Sequence, residues 1–300
     1  MNILKDDNFN EKSAVVIGKF DGVHKGHQQL LKLAAEISQK QGLTPIAYTF
    51  SSEHEKSRIL SDAEKTELLS QNGIKSVYLQ HLTEDFKNTS PQEFVRLLKN
   101  NFSAQHIIVG FNFRFGKGRS ADASDMVSIC EENGISATVA EPVMFCGKPI
   151  SSTRIRSEIL SGNMENVFAM MGRRLKISAK VIKGKQLGRE IGFPTANLDI
   201  TNIHLIPRTG VYATKVIIDS RVFAAVTNIG SNPTVDKDGS IKIETHIIGF
   251  YDCLYGKNIT VEFLQFLRDE EQFVSLSHLS SQLESDCENS VKIFKNNITL

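Results

Sequence analysis

His24 and His27 stand three residues apart in "GKFDGVHKGH", residues 18–27. The β-branched run Val15, Val16, Ile17 precedes them, and Leu30, Ala34 and Ile37 follow at helical spacing. The segment therefore reads as a strand-to-helix loop. Two imidazoles at a helix N-terminus, with Gly22 and Gly26 letting the backbone come close, are donors suited to a phosphate. Taken alone, the pair also fits one histidine capping the helix and the other facing solvent, and no third ligand is spaced to complete a zinc site. In "ISSTRIRSEIL", residues 150–160, Ser152 and Thr153 mark another helix start with Arg156 one turn on, a hydroxyl, amide and guanidinium set for a second anion. "VGFNFRFGKGR", residues 109–119, carries Asn112, Arg114, Lys117 and Arg119. It is not a P-loop: Gly110 to Gly116 is one residue too long, and Gly118 rather than Ser or Thr follows Lys117.

A second group of residues lies far along the chain. "VIKGKQLGREIGFPTANLDI", residues 181–200, combines Gly184, Gly188 and Gly192 with Lys185 and Arg189 and runs into Pro194, Thr195, Ala196 and Asn197. Glycines allow turns that aim amides at phosphate, and Thr195 and Asn197 offer hard oxygens for Mg²⁺; a glycine-rich hairpin with a basic rim is the plainer reading. In "IKIETHIIGF", residues 241–250, alternation puts Lys242, Glu244 and His246 on one face and Ile241, Ile243, Thr245 and Ile247 on the other. A charged row of this kind is ordinarily a solvated outer face.

The elements that must position these residues are readable from period and punctuation. Strands are expected at 15–17, 44–50, 74–80, 106–110 and 135–144. Helices begin at the capping boxes Ser61/Glu64 and Ser90/Glu93, the latter with Pro91 at its first position, and another spans about 121–133. This alternation demands a parallel sheet covered on both faces, which binds ligands beyond the carboxyl ends of its strands. From Gly172 the period changes to short β-rich runs separated by turn residues, an antiparallel barrel or sandwich, with a last helix from about Ser275 to Phe294. The fold class is thus α/β, with domains at 1–171 and 172–300.

Length agrees with two domains, since 300 residues exceed what one core of about 150 usually organises. With 35 basic against 34 acidic residues there is no bulk field to hold nucleic acid or a membrane. No apolar run approaches the roughly 20 residues of a spanning helix, and the polar start "MNILKDDNFNEK" is unlike a signal peptide, so a cytoplasmic protein is expected. Cys130, Cys146, Cys253 and Cys287 lack metal or disulfide spacing and are expected to be buried or half-buried thiols.

The loop 18–27, "VGFNFRFG" and "ISSTRIR", in that order, resemble the adenylyltransferase half of bacterial bifunctional riboflavin kinase/FAD synthetase. Residues 172–290 resemble its riboflavin kinase module in "GFPTANL", "IPRTGVYA", "TNIGSNPT", "ETHI" and "LYGKNITVEFLQFLRDEEQF". The resemblance implies a Rossmann-like nucleotidyltransferase domain followed by a small six-stranded β-barrel with a C-terminal helix. It implies that His24, His27, Ser152, Thr153 and Arg156 grip ATP, with Gly18, Phe20, Asp21, Gly22, Gly26 and Asn112 beside the nucleotide. In the barrel it implies that Gly184, Lys185, Gly188, Gly192 and Pro194 belong to the nucleotide site, that Thr195 and Asn197 serve Mg²⁺ and ATP, and that Glu244 is the base. The partners implied are ATP, riboflavin and FMN, with no nucleic acid and no membrane. The sequence departs from the family where a Pro-His-Pro type turn is usual: it reads "TFSSEHEKS", keeping His54, and it has Lys19 and Gly249 where other residues are common. A kinase with an inactive adenylyltransferase domain, or a flavin-binding protein without turnover, are the competing readings.

Overall fold

The computed structural model describes residues 2–4, 8–51, 57–184, 187–231 and 241–298. His54, Lys185 and the "NPT" of "TNIGSNPT" lie outside the described residues. By contacts the chain divides into two units, Met1–Ser152 and Thr153–Leu300.

The first unit runs β1 (Asn2–Leu4), β2 (Ser13–Ile17), α1 (Lys25–Gln41), β3 (Thr44–Phe50), α2 (Asp62–Gln71), β4 (Ser76–Gln80), α3 (Glu84–Lys87), α4 (Pro91–Asn101), β5 (Ala104–Gly110), α5 (Ala123–Glu132) and β6 (Ser136–Ala140). The strands form one sheet in the order β1-β4-β3-β2-β5-β6, every pairing parallel. Both faces are buried, which is why β2 is apolar at consecutive positions. Ala14 and Val16 pack with Leu30, Leu31 and Leu69 of α1 and α2, whereas Val15 and Ile17 pack with Phe94, Leu98 and Met126 of α4 and α5. The capping boxes at Ser61/Glu64 and Ser90/Glu93 form as expected. β1 was not legible, because three residues in a polar stretch carry no period.

One polar residue inside this sheet has a consequence for stability. The buried His106 on β5 receives the Gln41 Nε2 amide on Nδ1 at 3.4 Å and reaches Thr138 Oγ1 from Nε2 at 2.8 Å. An amide nitrogen only donates, so the ring is neutral with its proton on Nε2, and burial lowers its pKa from the ordinary 6.5. The unfolded chain then binds this proton more readily than the folded one, so stability is full above pH 6.5 and declines as pH falls from there towards the lowered folded value. Urea midpoints at pH 7.5 and 5.5 are expected to differ less in His106→Gln than in the parent; an unchanged difference refutes this source.

A hairpin of β7 (Met144–Phe145) and β8 (Lys148–Pro149), turned by Cys146 (φ 48°) and Gly147 (φ 71°), follows the sheet. The expectation for the cysteines is corrected here. Cys130 is buried and Cys287 partly so, but Cys146 and Cys253 are exposed, because both fall between strands where no apolar layer covers them.

Ser152, the last residue of the first unit, opens α6 (Ser152–Ser161), and α7 (Met164–Met171) follows after Gly162. The rest is β9 (Lys176–Ile182), α8 (Leu187–Glu190), β10 (Thr195–Leu198), β11 (Gly210–Ile218), β12 (Arg221–Ser231), β13 (Ile241–Ile247), β14 (Asn258–Arg268) and α9 (Leu276–Ile298). The six strands close into an antiparallel barrel, β10-β13-β12-β11-β14-β9. Periodicity left barrel or sandwich open; closure comes from the short β10, which pairs with β13 and β9. Apolar residues fill the interior, together with a hydroxyl chain in which Thr227 lies 2.8 Å from Thr214 and 3.0 Å from Thr245. Helix α9 is fastened to the barrel by Arg268 Nη2, 2.8 Å from the buried Asp286 Oδ2, and by Ser290 Oγ donating to Ala225 O at 2.6 Å.

Candidate functional site

Two sets of residues converge, one in each unit. In the first, β3 and β5 flank β2, so the chain winds away from β2 in both directions and leaves a crevice beyond its carboxyl end. Loop 18–27 fills that position. Its backbone is strained: Phe20, Gly22 and Val23 have φ of 50°, 85° and 34°, a conformation costing about 1–3 kcal/mol for each non-glycine residue. Burial of Phe20 and Val23 holds it. Phe20 therefore serves from beneath, its ring 5.2 Å from that of His27 in an edge contact.

The two imidazoles stack, centroids 3.6 Å apart and 17° from parallel. His24 is indeed the N-cap of α1: its Nδ1 accepts the His27 N–H at 3.3 Å. That acceptor role fixes its proton on Nε2, so a capping histidine still presents a donor. A Cβ at Gly26 would lie 3.2 Å from the His24 ring, so the glycine makes room for it. The α1 N-terminus adds amides and a partial positive charge. Ser152 Oγ donates to Asp21 O at 2.7 Å, tying the last residue of this unit to the loop; Thr153 and Arg156 follow on α6 and belong to the second unit.

Asp21 has a role that sequence did not disclose. Its buried carboxylate accepts the backbone N–H of Ile59 at 2.9 Å and of Leu60 at 3.3 Å, tying the loop to the approach to α2. Asn112 lies just past β5, on the rim of a cavity of about 770 Å³ lined also by Phe111, Phe113, Arg114, Asp122 and Val139. The turn after it contains a bridge between Phe115 and Ala121. Asp122 caps α5, accepting from Ser124 N at 2.9 Å and Asp125 N at 3.3 Å, and hydrogen bonds, first from the Ser124 hydroxyl, lower its pKa. An acid thus holds this helix end.

The second set lies on the outer face of the barrel. β10 and β13 pair Thr195 with His246 and Asn197 with Glu244, so both expected metal-binding residues and the carboxylate share one face while Ala196, Thr245 and Ile243 point inward. Gly184 is needed for this: a Cβ there would lie 2.4 Å from Asn197 Nδ2. Gly188 permits another close approach, its carbonyl accepting Phe193 N–H at 2.8 Å. Gly192 has φ 85° and lies open. His246 Nδ1 is 2.9 Å from the Pro194 carbonyl, which only accepts, so His246 carries its proton there and anchors the Pro194–Asn197 segment. Two-residue spacing had put His246 in this row, but not its partner.

Asn197 supports a prediction. Gly184→Ala pushes against the flexible end of one side chain, so the melting temperature is expected to stay near that of the parent, while any turnover at this site falls by roughly a hundred-fold through misplacement of Asn197. Wild-type turnover in this variant removes Asn197 from the site.

Residues 6–154 match the FAD synthetase family and residues 171–294 the riboflavin kinase family. Bifunctional riboflavin kinase/FMN adenylyltransferase of Bacillus subtilis strain 168 is 31% identical over 98% of this chain and 96% of its own. The protein of the same description from Escherichia coli K12 is 31% identical, covering 92% and 91%. A solved structure from Streptococcus pneumoniae, described as a macrolide-efflux protein, is 32% identical, with a TM-score of 0.87 over 96% of this chain and 97% of that one. Among the described residues here, no helix is long and apolar enough to cross a membrane.

Proposed function

The chain belongs to the bifunctional riboflavin kinase/FMN adenylyltransferases, and we propose that its two sites divide the work by the charge of the attacking group. The enzyme phosphorylates riboflavin to FMN with ATP and adenylylates FMN to FAD. We assign adenylyl transfer to residues 1–171 and phosphorylation to 172–300.

In adenylyl transfer the FMN phosphate, whose second pKa is about 6, attacks the α-phosphorus of ATP already ionised, and pyrophosphate leaves. No side chain need take a proton. Loop 18–27 suits this, because its one carboxylate, Asp21, is turned to the Ile59 and Leu60 amides, leaving imidazoles and helix amides to meet the phosphates. In the barrel the attacking group is a neutral ribityl hydroxyl. Glu244 takes its proton as the γ-phosphoryl group transfers and ADP leaves. Thr195 and Asn197 fit Mg²⁺, being hard neutral oxygens; among the described residues no group of three or more His, Cys, Asp or Glu could hold a metal, so substrate phosphates supply the charge. When bound, Mg²⁺ neutralises the phosphates during transfer.

The observation that carries this division is the register that sets the Glu244 carboxylate beside Asn197, with Thr195 on the same outer face of the barrel. Purified protein given FMN, ATP and Mg²⁺ is expected to release FAD and pyrophosphate. FMN formation from riboflavin without any FAD would leave a kinase alone.

A further inference from the structure

The Glu244 row continues one strand further. On β12, Asn228 lies directly opposite Glu244, so Asn197, Glu244 and Asn228 sit side by side across three strands. The Asn228 amide is oriented from one side: its Nδ2 donates to Glu270 Oε1 at 3.1 Å. A carboxylate only accepts, so the amide's nitrogen end is fixed on Glu270 and Oδ1 is turned elsewhere. That Oδ1 is shielded from water and has no hydrogen-bond partner among the described residues. An unpaired, shielded acceptor is costly and calls for a donor that arrives from outside.

Glu270 in turn occupies a built notch. A Cβ placed on Gly230, two residues along β12, would lie 1.9 Å from Glu270 Oε1 and 2.6 Å from Cδ. The carboxylate thus rests in the space that any side chain at 230 would take.

Resting on the kinase reading above, we infer that Asn228 is a specificity residue for riboflavin phosphorylation, its Oδ1 accepting a hydrogen bond from a ribityl hydroxyl that does not react, and that Glu270 is its positioning residue. Neighbouring strands lie about 4.8 Å apart. A polyol whose terminal hydroxyl meets Glu244 therefore lays its inner hydroxyls within reach of Asn228. Glycine at 230 is the steric condition for the arrangement.

The test compares riboflavin with a flavin bearing a 5-hydroxypentyl chain at N10, which keeps the reacting hydroxyl and lacks the inner ones. Asn228→Ala is expected to lower kcat/KM for riboflavin roughly ten- to a hundred-fold, the loss expected of an unmade hydrogen bond, and to leave the hydroxypentyl flavin near its parental value. Glu270→Ala and Gly230→Ala are each expected to reproduce part of that loss, the double variant being no worse than Glu270→Ala alone, while Glu270→Gln, whose amide oxygen still accepts, restores riboflavin turnover. Equal loss on both flavins, or parental discrimination in Asn228→Ala, overturns the inference. Absence of phosphorylation in the parent would instead overturn the kinase reading on which it rests.

Discussion

Glu244→Gln is expected to slow FMN formation by roughly 10²- to 10⁴-fold, the range for loss of a positioned acid-base group, while FAD formation from supplied FMN stays at the parental rate. Glutamine keeps the shape of the side chain and both neighbours in register, Asn197 and Asn228. What it loses is the capacity to accept a proton. The ribityl hydroxyl then has nowhere to place its proton as the bond to phosphorus forms, and the barrier rises accordingly. Separate rate assays on riboflavin and on FMN check this. Equal loss of both activities would refute independent sites.

His27→Ala should do the reverse, lowering kcat for FAD formation by roughly 10²- to 10³-fold, as when one preorganised donor to a developing charge is removed, with riboflavin phosphorylation unaffected. His27 is a cleaner probe than His24. Its backbone N–H, not its ring, takes part in the α1 cap, so alanine retains the cap. His24→Ala removes the capping acceptor itself, adding a stability loss of about 0.5–2 kcal/mol. A His27→Ala protein that makes FAD at the parental rate would take the ring out of the mechanism.

Much of this arrangement was legible from residue order because it depends on short-range rules. The β2-to-α1 loop, the two capping boxes and the inward and outward faces of β13 follow from period, punctuation and helix-end chemistry, and each formed where expected. The histidine pair showed how a bland reading and a functional one coexist, since His24 caps its helix and by doing so fixes the proton that makes it a donor. What was not legible depends on register between distant strands. Nothing in "TNIG" says that Asn228 faces Glu244, nor that Gly230 makes room for Glu270, forty residues later. The Asp21 bonds to Ile59 and Leu60 likewise join segments separated by 38 and 39 positions. Closure of the barrel turned on β10, four residues whose motif hid their strand character.

The most direct test of the central claim, two phosphate chemistries on one chain, is to follow the atoms. The protein is given riboflavin, Mg²⁺ and ATP carrying distinguishable labels at its α- and γ-phosphorus. FMN is expected to carry the γ label alone, and FAD to carry the γ label on its flavin-side phosphate and the α label on its adenylyl phosphate. A flavin product with neither label, or FMN bearing the α label, would contradict the account.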